Sequence, residues 1–229
     1  MTGAASTSGS AAVPSRAPVL LVGAGGIGAP AALALGGAGV LAIDVADDDR
    51  VELANLHRQV LFDDADVGRP KLEAMAAALA ARFPALRVGQ LSTRVHPGNA
   101  LELVRGRRVV VDACDNFPTR FLLADACAIA GVPVVHAAAI RWQATVLAVE
   151  AGGRPCYRCL FEDLPGDAPD CGTAGVLGPV CGVAGAIAAD RALRLAAGDA
   201  SVAGQVVTFD GHRDRLRSVA VRARAGCAL

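Results

Sequence analysis

The sequence predicts an α/β fold: a Rossmann-like, mostly parallel sheet covered by helices and extended by antiparallel strands in its C-terminal half. Three observations predict it. A glycine-rich turn, Gly23-Ala24-Gly25-Gly26-Ile27-Gly28, comes directly after a short apolar run and opens an apolar segment of helical length. Apolar runs then alternate with helix-length segments up to residue 137, the rhythm of right-handed crossovers that leave both faces of a sheet covered. Past that point the rhythm breaks, and three apolar runs lack helices of their own, as antiparallel additions to the same sheet would.

Residues 1–14 are rich in Ser, Ala and Gly and lack both the basic start and the apolar centre of a signal peptide, so residues 1–17 read as a disordered tail. Residues 18–22 are the first strand, stopped by Gly23, and the small apolar residues 26–38 are the first helix. The second strand, residues 40–46, runs into Asp47, Asp48 and Asp49. Within residues 66–83, Val67, Leu72, Met75, Leu79 and Phe83 recur at spacings of three to five, which gives a helix one apolar face, and Pro84 ends it. Next come a strand over 86–95, a short helix over 97–104 and a valine-rich strand over 108–113. Pro118 suits the first turn of a helix running to about residue 130, because an N–H there would have no helical partner anyway. Residues 132–137 are another strand. Residues 145–150, 206–209 and 216–221 are the late strands, with a long helix over 180–197 between the first two of these. There is no internal repeat and no linker between independent cores, so residues 18–229 read as a single domain, with halves at 18–137 and 138–229.

A chain of 229 residues is long enough for a proper core. With 22 basic and 22 acidic residues it carries no net charge, which excludes a global field drawing it onto nucleic acid or an anionic membrane. Any bound anion must be held by a local site. Seven cysteines without a short-domain framework fit a reducing compartment, the cytoplasm, where thiols bind metal or react. The apolar fraction of 53% raises the question of a membrane span, and residues 17–43 and 172–189 lack any charge. Glycines interrupt both stretches, and Pro179 the second, so they read as buried strand and packed helix.

The glycine turn permits close backbone approach to phosphate oxygens at a helix N-terminus, where free N–H groups and the dipole favour negative charge. Asp47 stands nineteen residues after Gly28, at the end of the second strand, where a carboxylate would accept from a ribose hydroxyl. Those two features alone also suit a nicotinamide-dependent oxidoreductase. The residues beyond Asp47 point elsewhere. The segment from Asp47 through Asn55, Arg58 and Gln59, then Val67-Gly68-Arg69-Pro70-Lys71, then Asp112-Ala113-Cys114-Asp115-Asn116, resembles the ThiF/MoeB/HesA adenylyltransferases, prokaryotic relatives of ubiquitin-activating enzymes. Pro155-Cys156-Tyr157-Arg158-Cys159-Leu160 and Ala174-Gly175-Val176-Leu177-Gly178-Pro179 extend the resemblance, which covers roughly residues 19–227.

The resemblance implies transfer of AMP from ATP to the C-terminal glycine carboxylate of a ubiquitin-like sulfur-carrier protein, ThiS- or MoaD-like, in thiamine or molybdopterin biosynthesis. It implies a nucleotide-binding half at 18–137 and a carrier-binding half at 138–229. A homodimer, a sulfur donor such as a cysteine desulfurase or sulfurtransferase, and a groove for the carrier tail under residues 164–172 are implied as well. Such chemistry must bring two anions together, so fixed cations are required. Arg58 and Lys71 supply a forked guanidinium and a point charge, which in the similar family contact the triphosphate. Asp115 suits magnesium, which takes oxygen ligands and bridges phosphates. Asn55 and Gln59 are secondary contacts, and Asp49 and Asn116 belong to the same nucleotide motifs. The competing readings are solvated surface charges for Arg58 and Lys71, and a helix N-cap for Asp115. A catalytically silent partner subunit is a further alternative, and it predicts erosion of these residues, which the sequence does not show.

Cys156 and Cys159 form C-x-x-C, a spacing that lets both sulfurs reach one tetrahedral zinc. The similar family completes the site with a second such pair near its end, where only Cys227 matches here. Water or the terminal carboxylate as fourth ligand, and a metal-free hairpin, stay open. Cys171 falls in a Pro-, Gly- and Asp-rich stretch that reads as a loop, in a place resembling the cysteine that links covalently to the activated carrier in the thiamine branch; a bystander thiol is the alternative. Cys181, Cys114 and Cys127 read as packing residues, and Trp142 as lining a tail channel or packing. In related enzymes an N-terminal arginine reaches the neighbouring subunit's ATP site. Here Arg16 stands immediately beside the first strand, and that arginine has no counterpart.

Overall fold

The computed structural model describes residues 17–162 and 175–227. The expected tail, and Cys171 with its loop, lie outside the described residues. Eight strands form one sheet: β1 (Val19–Val22), β2 (Ala42–Ala46), β3 (Arg87–Leu91), β4 (Val110–Asp112), β5 (Val134–Ile140), β6 (Gln143–Val149), β7 (Gln205–Asp210) and β8 (Arg215–Ala220). Their order is β3-β2-β1-β4-β5-β6-β7-β8, parallel from β3 through β5 and antiparallel from β5 to β8. The described helices are α1 (Gly28–Gly37), α2 (Lys71–Arg82), α3 (Ala100–Val104), α4 (Phe117–Ala130), α5 (Tyr157–Leu160) and α6 (Gly178–Ala196). None of them is long and apolar enough to cross a membrane.

The apolar runs are continuous because both faces are covered. In β1, Val19 and Leu21 pack under α1, α2 and α6, while Leu20 and Val22 pack under α3 and α4 on the opposite face. Leu20 and Leu21 are fully buried, each contributing roughly 1.5–3 kcal/mol. The parallel strands end nearly level: Val22 pairs with Ala46 and Asp112, and Ala46 with Leu91. Four loops therefore leave along one edge, around the β1–β4 boundary where the strand order reverses, which is where open α/β sheets bind ligands.

Element boundaries shift for local reasons. The expected strand over 86–95 stops at Leu91, where β2, its only ladder partner among the described residues, ends at Ala46, and Asn99 organises the loop beyond. Asn99 Nδ2 donates to Thr93 Oγ1 (3.1 Å) and to the Arg94 carbonyl (3.0 Å), and its Oδ1 accepts from His96 N (2.9 Å). The helix expected from residue 66 starts at Lys71, after a capped 3-10 turn at Asp64–Asp66, a left-handed Gly68 and Pro70, which carries no N–H. The hairpin β5–β6 is longer than its valines suggested: Ile140 pairs with Gln143 across a two-residue turn in which Arg141 has φ 51°. Pro118 sits in the first turn of α4 as expected. The Cys156–Cys159 segment is the single helical turn of α5, where the metal-free alternative had a hairpin.

Candidate nucleotide site

The loops after β1, β2, β3 and β4 enclose a cavity of about 350 Å³. The glycine turn forms its floor. Gly23 takes φ +97°, and a Cβ there would stand 2.8 Å from the Ala113 carbonyl oxygen. At Gly28 a Cβ would lie 1.9 Å from the Gly23 carbonyl oxygen, so the turn closes only on hydrogen. Gly25 and Gly26 line the cavity, and Gly28 sits behind them as the first residue of α1.

Asp47 braces this turn from β2. Its Oδ2 accepts from Ala24 N at 2.7 Å and its Oδ1 from Asp49 N at 2.8 Å. Each oxygen keeps a second lone pair for a ligand hydroxyl. Lys71, 6% exposed at the start of α2, donates to Asp49 Oδ2 at 2.8 Å. Arg58 lines the same wall, its Nη1 3.4 Å from His57 Nε2, and among the described residues it pairs with no carboxylate. Gln59 is buried in the same wall with its Nε2 beside Gly25 of the turn, and its Oε1, also buried, has no partner among the described residues. Asn55 lines the wall beside it, its amide tied to Glu52 Oε2 at 3.0 Å.

Asp115 and Asn116 close the opposite side. Asn116 is the N-cap of α4, its Oδ1 accepting from Thr119 N at 2.9 Å. The capping role weighed for Asp115 is thus filled by its neighbour, and Asp115 is exposed at the cavity, where its Oδ1 accepts from the Asn116 amide at 3.4 Å and its charge is felt by Arg94. The cations, the acid and the glycine turn expected from the sequence therefore share one cavity.

Other wall residues escaped the sequence reading. Arg94 lay inside what read as a strand, and Arg120 carried no motif of its own, although a helix opening at Asn116 brings position 120 one turn along the same side. Arg120 is buried and donates from Nη2 to the Cys114 carbonyl, with Nη1 3.7 Å from Asp112 Oδ2. Asp112 also meets His136 Nδ1 (2.7 Å) and accepts from Cys114 Sγ (2.7 Å) and Cys114 N (3.1 Å). Burial works to raise the Asp112 pKa, but the Arg120 charge, His136 and Cys114 outweigh it and hold the carboxyl below its ordinary value. Burial pushes the Cys114 thiol well up, so this cysteine, expected to pack in the core, is a half-buried hydrogen-bond donor in the cavity wall. Cys127 is buried as expected. Cys181 is buried too, and its sulfur reaches the cavity beside Gly26. Trp142 is half exposed, its ring 5.9 Å from that of His212.

The three remaining candidate ligands also meet. Cys156 Sγ is 3.7 Å from Cys159 Sγ and 3.5 Å from Cys227 Sγ. α5 is held against α4 by Arg158, which donates to both oxygens of Asp125 (2.8 and 2.7 Å).

Fold and site together define an α/β protein of the class that binds nucleotides at such a glycine turn, here ringed by Arg58, Lys71 and Arg94 and by Asp115. The chain belongs to the ThiF family, whose model matches residues 12–229. It is 42% identical over 214 residues to the SAMP-activating enzyme E1 of Haloferax volcanii, covering 92% of this chain and 79% of that protein. It is 38% identical over 218 residues to the adenylyltransferase and sulfurtransferase MOCS3 of Aedes aegypti, covering 93% of this chain and 50% of that protein. The chain thus spans about half the length of that relative. In space it matches E. coli MccB with a TM-score of 0.81 at 23% identity, over 93% of this chain and 66% of that one, a likeness of fold.

Proposed function

We propose that this protein transfers AMP from ATP to the C-terminal glycine carboxylate of a small ubiquitin-like sulfur-carrier protein, releasing pyrophosphate. The observation that carries the reading is the convergence of the glycine turn, Arg58, Lys71 and Asp115 on one cavity, in a chain similar to a SAMP-activating E1. A nicotinamide reading gives Arg58, Lys71 and Asp115 no work. A silent partner subunit would not keep all of them.

The carrier carboxylate arrives ionised, so no general base is needed. Its oxygen forms a bond to the α-phosphorus as the bond to the pyrophosphate oxygen breaks, and acceleration comes from positioning and charge. Arg58, without a carboxylate partner among the described residues, and Lys71 offset charge on the phosphates. The glycine turn and the α1 N-terminus cradle them, and Asp47 and Asp49 hold the ribose. Asn55, Gln59 and Asn116, all in the cavity wall, complete the nucleotide contacts. Asp115 is the oxygen donor that fits magnesium, whose contribution when bound is to neutralise phosphate charge. Residues 18–137 serve as the nucleotide half, and Ala139, Val176 and Cys181 bring the 138–229 half to the cavity, where the carrier tail enters. Cys171 is the acceptor for a covalent carrier link, its thiolate taking the carrier's acyl group from the acyl-adenylate as AMP leaves, and a homodimer in the cytoplasm, served by a separate sulfur donor, completes the reading. Carrier-dependent exchange of labelled pyrophosphate into ATP tests it. Exchange is expected with a carrier ending in glycine and not with one lacking that residue; tighter binding of NADH than of ATP, without exchange, would overturn it.

Cys156, Cys159 and Cys227 fit zinc: the three sulfurs lie within 4.8 Å of one another, and the Arg224 N–H donates to Cys159 Sγ at 3.4 Å. Burial and the neighbouring thiols push Cys156 up to about 12, while backbone N–H donors and the other thiols outweigh burial and lower Cys159. A zinc ion would tie the chain beyond β8 to α5. Elemental analysis is expected to find about one zinc per chain, and chelation to lower the melting midpoint. A zinc content near zero in untreated protein would sink the assignment.

A further inference from the structure

Arg94 is the exposed one of the two overlooked cavity cations. It leaves the loop after β3, next to the buried Val95, and both line the cavity. Its backbone is pinned by the Asn99 amide, so the residue has a fixed root. Along one edge of the guanidinium, Nε lies 3.2 Å from Asp48 Oδ1 and Nη2 lies 3.6 Å from Asp49 Oδ1. The side chain is 72% exposed, so its plane is uncovered.

Two features decide which part of a nucleotide it meets. In the order β3-β2-β1, the end of β3 lies two strands from the phosphate-facing turn after β1, about 10 Å at the usual strand spacing. Asp47, the ribose acceptor, stands between them on the end of β2. The loop after β3 is thus at the nucleoside end. Arg94 is also already balanced by Asp48 and Asp49, whereas Arg58 has no carboxylate to satisfy among the described residues. A neutralised, edge-anchored guanidinium offers a flat face more than a charge, and a flat face suits an aromatic ring.

Resting on the adenylylation reading, we propose that Arg94 stacks on the adenine base of bound ATP, with Asp48 and Asp49 setting the tilt of the guanidinium and Val95 forming the apolar wall beside the base. Arg94 is then a substrate-binding residue that selects for an aromatic base.

The test measures equilibrium binding of ATP, adenosine and inorganic tripolyphosphate to wild type and to Arg94→Ala. The variant is expected to bind both ATP and adenosine roughly 5–30-fold more weakly, by the same factor, with tripolyphosphate unchanged. Its melting midpoint should match wild type, since the side chain is exposed. Unchanged ATP affinity, or a loss seen with ATP and tripolyphosphate but not adenosine, overturns the stacking role and leaves the adenylylation reading intact. Failure of the wild-type protein to bind ATP overturns both.

Discussion

Replacing Asp115 with alanine is expected to lower carrier-dependent exchange of pyrophosphate into ATP by about 10³-fold while the protein stays folded. The two halves of that expectation have separate causes. Folding is spared because Asp115 is exposed, and the capping of α4 that its position suggested belongs to Asn116, whose Oδ1 takes the Thr119 N–H. Removing the neighbouring carboxylate frees only the exposed Asn116 amide, which water can serve. Activity is lost because the other carboxylates at the cavity stand on the β2 side, Asp47 bracing the glycine turn with its spare lone pairs toward the ribose and Asp48 and Asp49 paired with Arg94 and Lys71. Asp115 is the one with lone pairs to spare on the α4 side, facing where phosphate oxygens and magnesium would gather. The measurement pairs the exchange rate at saturating carrier with a thermal melt. Full exchange by a folded variant removes the metal-holding role, and loss of exchange with loss of folding would point to a structural role instead.

The parts of the site legible in the sequence are those whose chemistry is local. A turn this tight needs glycine at Gly23 and Gly28, where a Cβ would meet backbone carbonyls, and the run Val19–Val22 before it is a covered strand. Charged residues in the loops that follow strands, Arg58 and Lys71 between β2 and the body of α2 and Asp115 just after β4, stand out because the loops leaving the ends of parallel strands are where an open α/β sheet binds its ligands. What was hidden depends on contacts across long separations. Arg94 is recruited by carboxylates 45 and 46 positions earlier, and β3 ends where its distant partner β2 ends, at Ala46 opposite Leu91. His136 sits in an apolar strand and reads as an accident until Asp112, 24 residues before it in sequence, is seen at 2.7 Å. Cys114 has the profile of a core residue. Only the fold shows that it closes a polar network under the Asp115 loop.

That network gives the largest stability effect. Asp112→Asn is expected to destabilise the protein by about 3–5 kcal/mol at pH 7, because it removes the carboxylate that offsets the buried Arg120 guanidinium. His136 and the Cys114 thiol lose their charged acceptor in the same step. The pH dependence is set by the direction of the Asp112 shift. Burial alone would raise this carboxyl, but Arg120, His136 and Cys114 more than reverse it, so the folded pKa lies below the unfolded value of about 3.9. A depressed carboxyl contributes its stability above the unfolded pKa and loses it as pH falls through the folded one. Wild type should therefore lose stability on acidification below about pH 4 through Asp112, and the asparagine variant should lack that component, so that their denaturation curves approach each other in acid. Urea melts at pH 7 and pH 3 check this, and an equal gap at both would remove Asp112 from the acid response. The effect should reach the site as well: Arg120 holds the Cys114 carbonyl, one residue from Asp115, so slackening the network loosens the carboxylate on which the proposed transfer depends.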